Sequence, residues 1–259
     1  MIDMSKLYEH EDYEDALESF NSREDINNCD HTHWSLFKDI HLSISKNRCP
    51  ICECLLNNTV TRPTNNNPSD TAYTVTATID HFRPQEYYSF LRCNHKNYLL
   101  MCSECNNIYK GNSFPIYDNS ERATNESEIE NEPHLIVNPI TDNLLELFVL
   151  VFKQTSSGKY ILELKPKEDS GYKHEKALET IKLFGLGDCE INRHSNDNVH
   201  NCRISILDSH FGVFFDFVKA LKEGNRRKSA LELKDKRDEF EKYGFFDFIK
   251  NNQFEILVP

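Results

Sequence analysis

The decisive stretch of the sequence reads CPIC at residues 49–52, IDHFRP at 79–84, NYLL at 97–100 and CSECN at 102–106, followed by Lys110. Two C-x-x-C pairs thus enclose an acid–histidine dipeptide. Tetrahedral zinc prefers four soft ligands, and each C-x-x-C turn supplies two thiolates. We therefore predict that a structural zinc ion joins the two ends of this stretch. The predicted ligands are Cys49, Cys52, Cys102 and Cys105.

The other cysteines are assigned by their position in the chain, which contains nine in all. Cys54 and Cys93 are alternatives for one of the four ligands, because they lie near the two pairs. Cys29, Cys189 and Cys202 are interpreted as buried or surface thiols.

The acidic N-terminus has no apolar export signal, and no apolar run approaches the roughly 18 residues of a membrane helix. We predict a cytoplasmic protein whose thiols stay reduced, which favours metal over disulfides.

Composition indicates a folded protein with an uneven charge distribution. The 259 residues include 38% hydrophobic and 11% aromatic side chains, which suits one large domain or two small ones. The formal net charge of −12 has the wrong sign for a general nucleic-acid binder. Residues 1–44 carry a net charge of −8, whereas residues 45–115 carry +2. The motif therefore lies in the segment best suited to approach a polyanion.

The N-terminal segment predicts two short helices. Tyr13, Ala16, Leu17 and Phe20 recur at helical spacing, which indicates an amphipathic helix. We interpret it as a solvated cap, with a partner-docking arm as the alternative. Apolar residues from Trp34 to Ile44 recur at three- and four-residue steps and predict a second, packed helix. The H-x-H at residues 31–33 is interpreted as a helix start, with metal binding as the alternative.

The middle of the chain predicts loops and strands. Residues 57–71 are rich in Asn, Thr and Pro and predict a loop, and the acidic residues 117–134 predict a solvated loop. Alternation from Tyr73 to His81 predicts a half-buried strand with Asp80 on its threonine face. Residues 147–153 and 159–165 predict a β-hairpin. From residue 173 onward the periodicity is helical, and so the predicted fold class is α+β.

The polar residues between the cysteine pairs suit hydrolytic chemistry. Asp80 can bind a hard divalent cation, and His81 beside it can take a proton from water. Asn97 can bridge backbone groups near the histidine. Asn106 offers an amide oxygen to a cation, and Lys110, four residues later on a helix, can meet a phosphate oxygen. An Asp–His pair alone would be an ordinary strand end, but this context favours a catalytic site.

The spacing of these motifs resembles that of the HNH endonucleases, whose ββα-metal core is supported by a zinc ribbon. The resemblance covers about 62 residues and implies a nuclease that hydrolyses phosphodiester bonds, with DNA preferred over RNA. It implies that His81 is the general base, that Asp80 and Asn106 hold a catalytic Mg²⁺ or Mn²⁺, and that Asn97 orients the histidine loop. Asn106 stands where some of these enzymes carry a final histidine, which leaves the choice of metal open.

A second resemblance extends beyond the motif. The sequence HLIVNP at residues 134–139, ALETIKLFGL at 177–186 and Arg193 are similar in order to the PtuB-type HNH subunits of Septu and related retron anti-phage systems. That family implies a companion ATPase. The predicted organisation is an acidic helical segment at 1–44, a nuclease core with structural zinc at 45–115, an acidic loop and β-hairpin at 116–170, and a helical region at 171–259.

Two other functions are compatible with the same cysteines. A zinc-stapled module that binds nucleic acid or protein would keep the metal and lack nuclease activity. A zinc-dependent transcription regulator would need a recognition helix rich in Arg and Lys. Only Arg226, Arg227 and Lys228 form a dense basic cluster, which we interpret as a helix-linker surface. The complete set of Asp80, His81, Asn97 and Asn106 favours the nuclease.

Overall fold

The computed structural model describes residues 1–23, 29–64, 67–154, 160–187 and 208–257. The chain divides into two compact units. The site unit comprises Asp3–Pro133 and Asn138–Asp142, and the C-terminal unit comprises Met1–Ile2, His134–Val137 and Asn143–Pro259. Each unit mixes helices with small sheets, which confirms the predicted α+β class. No helix in the described ranges has both the length and the apolar character needed to cross a bilayer.

The site unit contains three helices, four strands and a π-helical turn among its described residues. The helices are α1 (Tyr13–Asn21), α2 (His31–Trp34) and α3 (Lys38–Ile44). The strands are β1 (Asn58–Thr64), β2 (Asn67–Val75), β3 (Ala77–His81) and β4 (Tyr98–Cys102), and the π-helix is Glu104–Lys110. Short 3₁₀ turns lie at Leu7–Glu9, Ser35–Phe37, Ser89–Leu91, His95–Asn97, Tyr117–Asn119 and Glu126–Asn131.

The C-terminal unit combines a small sheet with five described helices. The helices are α4 (Leu144–Leu147), α5 (Tyr172–Phe184), α6 (Asp208–Lys222), α7 (Arg226–Phe240) and α8 (Phe245–Lys250). Strands β5 (Phe148–Gln154) and β6 (Tyr160–Pro166) pair antiparallel, which confirms the predicted hairpin. A third strand, β7 (Phe254–Leu257), pairs parallel to β5 and was not predicted. Cys189, Arg193 and Cys202 lie outside the described residues.

The predicted C-terminal helices form, and their ends follow the local sequence. Helix α5 ends at Gly185, whose φ of 65° is the left-handed conformation that glycine adopts without steric cost. Phe214 of α6 stacks on Phe240 of α7 with ring centroids 3.9 Å apart. Arg226, Arg227 and Lys228 are exposed in the first turn of α7, as expected for a helix-linker surface.

Helix α1 packs against the rest of the site unit. Its buried residues are Tyr13 and Phe20, which lie on one face as the periodicity predicted. The hydroxyl of Tyr13 lies 2.7 Å from Nδ1 of His95, and the ring of Phe20 contacts those of Phe37 and Tyr98. The apolar face is therefore used inside the unit, which fits the interpretation as a cap.

The prediction of a loop over residues 57–71 is wrong. Strands β1 and β2 form an antiparallel hairpin there, with Asn58 opposite Val75 and a register shift between Arg62 and Thr64. The sequence lacks the apolar alternation of a half-buried strand, but backbone pairing needs no such pattern. The strand predicted from Tyr73 to His81 is likewise interrupted at Thr76, where β2 ends and β3 begins.

The sheet that carries the motif is formed by β3 and β4. The two strands pair antiparallel, with His81 opposite Tyr98 and Ala77 opposite Cys102. The chain then enters the π-helix Glu104–Lys110, in which the amide of Gly111 donates to the carbonyl of Asn106. A two-stranded hairpin followed directly by a helical turn thus places residues 80, 81, 106 and 110 in one small structure.

The acidic segment after the motif is only partly solvated. Most of its glutamates are exposed as expected, but Glu132 is buried. Its carboxylate accepts hydrogen bonds from Nε of Arg83 at 2.9 Å, from the hydroxyl of Tyr88 at 2.7 Å and from the amide of Ala123 at 2.8 Å. Interpretation as a solvated loop is therefore wrong for Glu132, because a buried cation and two neutral donors stabilise its charge.

Buried His41 in α3 predicts a loss of stability in acid. Burial lowers the pKa of His41 from 6.5 to about 3, and its Nδ1 accepts no hydrogen bond in the described structure. As the pH falls, the unfolded chain protonates this histidine before the folded protein does. The free energy of unfolding is therefore unaffected by His41 above about pH 6.5 and decreases from there toward pH 3. The expected slope from this residue is about 1.4 kcal/mol per pH unit.

Urea unfolding between pH 7 and pH 4, followed by Trp34 fluorescence, measures that slope in the site unit. A His41→Phe variant is expected to lose less stability between the two pH values than the wild type. The matched control is His31→Gln at an exposed position of α2, which is expected to keep the wild-type dependence. An unchanged slope in His41→Phe would contradict the assignment.

Candidate functional site

The first cysteine pair lies in a tight turn immediately before the β1–β2 hairpin. The amide of Cys49 donates to the carbonyl of Cys54 at 2.9 Å, and the amide of Glu53 donates to the carbonyl of Cys49 at 2.8 Å. Glu53 has a φ of 60°, which closes the turn at the expense of backbone strain. The guanidinium of Arg48 donates a hydrogen bond to the carbonyl of Glu53 and so stabilises the turn.

Five cysteine sulfurs gather where this turn meets the end of β4. The Sγ atoms of Cys49, Cys52, Cys54 and Cys102 all lie within 4.8 Å of one another. The Sγ atom of Cys105 lies 3.6 Å from that of Cys49, and the Sγ atoms of Cys52 and Cys102 are 3.8 Å apart. All five residues are buried.

The cluster fits a tetrahedral zinc ion. A zinc–sulfur bond of about 2.3 Å gives neighbouring sulfurs about 3.8 Å apart in a tetrahedron, close to the two measured separations. Cys49, Cys52 and Cys102 are common to both possible ligand sets, and the fourth ligand is Cys54 or Cys105. Cys54, which the sequence analysis kept as an alternative zinc ligand, thus lies in the cluster.

The thiols also have the electrostatics of a metal site. Burial raises the pKa of Cys49 and that of Cys105, whereas hydrogen bonding from Cys105 and then from Cys49 lowers the pKa of Cys102. Several adjacent buried thiolates are therefore unfavourable without a cation among them. A bound zinc ion would supply that charge and stabilise the junction between the turn and β4.

The remaining described cysteines form a disulfide, which the sequence interpretation did not predict. Cys29 and Cys93 are joined, with Cα atoms 5.4 Å apart and a sequence separation of 64. The expectation that Cys29 is a free thiol is therefore wrong, and Cys93 is excluded as a fourth zinc ligand. The error arose because sequence spacing carries no information about the approach of two distant loops.

Asp80 lies on the face of β3 that turns toward the π-helix. Its Oδ2 atom lies 2.6 Å from Nζ of Lys110, and the Asp80 side chain is 14% exposed. Asn106 donates from Nδ2 to Oγ1 of Thr78 at 3.1 Å, and Thr78 shares a strand face with Asp80 because the two are two residues apart. The structure thus brings Asp80, Asn106 and Lys110 to one side of the sheet.

The Asp80 carboxylate is suited to a cation. Burial raises the pKa of Asp80, and the ammonium of Lys110 opposes that rise. Oδ2 is buried against the ammonium of Lys110, and the backbone amide of His81 also favours the charged carboxylate. Lys110 is fully buried and also donates to the carbonyl of His81 at 3.1 Å. The ammonium predicted to meet a phosphate oxygen thus contacts Asp80.

His81 lies on the other face of β3, in an aromatic pocket. The rings of Trp34 and Tyr98 each meet its imidazole edge to face, with centroids 5.2 Å away. Nε2 of His81 lies 2.9 Å from the carbonyl oxygen of Arg92. A carbonyl oxygen only accepts, so Nε2 carries the proton of the neutral ring and Nδ1 carries the lone pair. Burial lowers the pKa of His81, which favours this neutral form.

Asn97 ties together the two ends of the loop that follows His81. Its Oδ1 accepts from the amide of Arg83 at 2.8 Å, and its Nδ2 donates to the carbonyl of Arg83 at 3.0 Å. The amide of Phe82 donates to the carbonyl of Asn97. Side chain and backbone of one residue thus fix the chain immediately after His81.

The sequence reasoning missed three residues that contact His81. Trp34 was assigned only to helix packing, and neither Arg92 nor Gln85 was singled out. Arg92 contributes a backbone carbonyl, which any residue could supply, so its identity gave no signal. Gln85 follows the D-H-F-x-P motif directly, and its nearness to His81 in sequence was the one signal available.

Comparison with known proteins gives one partial relationship. A segment of 121 residues is 32% identical to the Septu protein PtuB of Bacillus mycoides strain KBAB4, covering 42% of this chain. The matched segment spans 37% of the length of that relative. No protein-family profile matches the chain, and no solved structure matches it.

Proposed function

We propose that the protein is a metal-dependent HNH endonuclease that hydrolyses phosphodiester bonds of DNA. The observation that carries the proposal is the state of His81. Its Nε2 is bound to a backbone carbonyl and its Nδ1 keeps the lone pair, at the end of a strand that also bears Asp80. A neutral imidazole whose Nε2–H is held by a backbone carbonyl presents the lone pair of Nδ1, which a general base needs to accept a proton.

In this mechanism Nδ1 of His81 takes a proton from the water molecule that attacks phosphorus. Trp34 and Tyr98 hold the ring, and Asn97 holds the loop behind it. Asp80 and Asn106 would hold a divalent cation, Mg²⁺ or Mn²⁺, which when bound stabilises charge on the scissile phosphate. We assign Lys110 to the same site, where its ammonium balances the charge of Asp80 and would be released toward a phosphate oxygen if a cation took its place.

The zinc assignment supports the same mechanism. Cys102 ends strand β4, and β4 pairs with β3 along its whole length. A zinc ion bound by Cys49, Cys52 and Cys102 with either Cys54 or Cys105 would therefore fix the strand that carries His81 and Asp80. This role is structural, because the predicted catalytic residues lie on β3 and the π-helix rather than among the thiols.

The biological setting that we propose is anti-phage defence with a companion ATPase. The partial similarity to a Septu protein PtuB supports it, together with the order of motifs after the nuclease segment. The net charge of +2 over residues 45–115 supports DNA as the substrate within a chain that is acidic overall. An ATPase that binds the protein would control when this segment meets DNA.

A binding module without nuclease activity is the second candidate. The ion pair between Lys110 and Asp80 favours it, because the ammonium already satisfies the carboxylate that a catalytic cation would need. The two candidates differ in one respect: the nuclease requires that a divalent cation competes with Lys110 for Asp80.

Incubation of supercoiled plasmid with the protein separates the two candidates. We expect nicking in Mg²⁺ or Mn²⁺ and none in EDTA, measured with the protein alone and again with its companion ATPase. Linear and single-stranded DNA and RNA of the same sequence test substrate class. Absence of cleavage in every metal, with and without the ATPase, would favour the binding module.

A further inference from the structure

The disulfide between Cys29 and Cys93 is attached to the peptide group that positions His81. Nε2 of His81 donates to the carbonyl of Arg92, and that carbonyl belongs to the peptide bond between Arg92 and Cys93. Nε of Arg92 donates in turn to the carbonyl of Cys29 at 2.9 Å. The acceptor for His81 is thus tied to Cys29 by a covalent link through Cys93 and by a hydrogen bond from the Arg92 side chain.

The surroundings of the two sulfurs suit reversible opening of the bond. Cys29 is completely buried, whereas Cys93 is partly exposed, so a thiol in solution has a route to Cys93 rather than to Cys29. The amide of Cys29 donates to Sγ of Cys93 at 3.1 Å, which favours the thiolate of Cys93 once the bond opens. The free cysteines of the described ranges all belong to the zinc cluster, and so this pair is separate from the metal site.

A disulfide is unusual in the compartment that the sequence predicts. Cytoplasmic thiols are kept reduced by glutathione and thioredoxin, and the disulfides found there are usually transient, with catalytic or redox-sensing roles. We propose that Cys29 and Cys93 form a reversible thiol–disulfide site that controls the position of the His81 base through Arg92. The effect on the base rests on the proposed function, whereas the redox chemistry of the pair does not depend on it.

The reductant that we propose is a thiol of the glutathione class. One thiolate attacks Sγ of Cys93, the sulfur–sulfur bond of the protein breaks, and Cys29 leaves as a thiolate that takes a proton. A second thiolate attacks the glutathione sulfur of the mixed disulfide, and Cys93 leaves as a thiolate that takes the second proton. Two electrons thus pass from two thiols to the protein, and oxidised glutathione is the product. An excess of oxidised glutathione reverses both steps.

Opening of the bond loosens the support of the base. The described contacts that then remain on Arg92 are hydrogen bonds, among them those to Cys29 and from the hydroxyl of Tyr98. The carbonyl that fixes the His81 ring is therefore less constrained in the reduced protein. The oxidised protein is the state in which Nδ1 of His81 is best positioned, and reduction is expected to slow the proposed reaction.

Differential alkylation in glutathione buffers tests the redox site without any assay of activity. The full-length protein with its zinc is equilibrated at a series of ratios of reduced to oxidised glutathione. Free thiols are then blocked with iodoacetamide, and each cysteine peptide is quantified by mass spectrometry. Cys29 and Cys93 are expected to pass together from the disulfide to the alkylated form, while the zinc content stays constant. A pair that stays bonded in a large excess of reduced glutathione, or that never bonds in oxidised glutathione, overturns the proposal.

Nitrogen NMR tests whether the site reaches His81. The protein is labelled with ¹⁵N-histidine, and the His81 side-chain signals are identified by their loss in His81→Ala. These signals are expected to differ between the oxidised and the reduced protein. Cys93→Ser, which cannot form the bond, is expected to give the signals of the reduced protein at every glutathione ratio. His81 signals that stay the same in both states overturn the control of the base.

Plasmid nicking in Mg²⁺ tests the consequence, with the companion ATPase that we propose if the isolated chain is silent. Because the disulfide supports one hydrogen bond of ordinary net strength, reduction is expected to slow the wild type about twofold to tenfold. The rate is expected to follow the alkylated fraction with the same midpoint. Cys93→Ser, checked for unchanged zinc content, is expected to have the rate of the reduced wild type at every ratio.

The outcomes separate this proposal from the proposed function. A nicking rate that does not follow the disulfide in an active enzyme overturns the control of the base. Absence of nicking in both redox states removes the nuclease, whereas the alkylation titration and the His81 signals still decide for or against the redox site.

Discussion

A His81→Ala variant is expected to nick supercoiled plasmid at least 100-fold more slowly than the wild-type protein in Mg²⁺. A positioned general base contributes about 10²–10⁴-fold to such a reaction, and in the described structure the only imidazole beside Asp80 on β3 is that of His81. The substitution removes a side chain that is 8% exposed and makes a hydrogen bond to the carbonyl of Arg92. Single-turnover rates with protein in excess over plasmid give the comparison.

The controls for this variant separate chemistry from folding. His174→Ala changes a histidine of the C-terminal unit and is expected to keep the wild-type rate. The zinc content of His81→Ala is expected to match the wild type if the site unit is intact. The emission of Trp34 is expected to change only slightly, because the variant loses the edge contact with His81. Equal nicking by His81→Ala and wild type would reject His81 as the base. The comparison is repeated with the companion ATPase that we propose.

Cys102→Ser is expected to abolish zinc binding and to unfold the site unit. Cys102 belongs to both possible ligand sets and is completely buried at the end of β4. Structural zinc contributes on the order of 10 kcal/mol to the folding of small zinc domains, which exceeds the stability of most single domains. Metal analysis is expected to find about one zinc per chain in the wild-type protein and less than about one tenth of that in purified Cys102→Ser.

Three further cysteine variants define the ligand set and its control. Cys93→Ser breaks the disulfide with Cys29 outside the cluster and is expected to keep the zinc. Cys54→Ser and Cys105→Ser are compared in parallel for the rate at which a chelator removes their zinc. The fourth ligand is the cysteine whose replacement makes the zinc easier to remove. Full zinc content in Cys102→Ser, or a wild-type protein with no zinc, would contradict the assignment.

Local patterns in the sequence predicted most of the elements around the site. Helical spacing identified α1 and α5, and two β-like runs joined by a turn sequence identified the β5–β6 hairpin, because each of these signals lies within a short segment. The pairing of the two C-x-x-C turns was predicted across 49 intervening residues because the preference of zinc for four thiolates provides a long-range rule.

Features that depend on distant partners could not be predicted in the same way. The sequence of residues 57–71 shows no apolar periodicity although β1 and β2 pair there, and β7 adds to β5 by backbone pairing from about 100 residues away in sequence. Glu132 looked like any other acidic loop residue until the structure placed Arg83 and Tyr88 beside it. The roles of Asp80, His81, Asn97, Asn106 and Lys110 remain predictions, since proximity alone does not establish catalysis.

The most direct test is a crystal structure of the protein grown with Mn²⁺, with anomalous scattering recorded at the zinc and manganese edges. We predict one zinc peak among the cysteine sulfurs and one manganese peak about 2.2 Å from a carboxylate oxygen of Asp80 and from the amide oxygen of Asn106, with Lys110 displaced from Asp80. A manganese peak elsewhere, or an Asp80–Lys110 ion pair that persists at saturating Mn²⁺, would contradict the account.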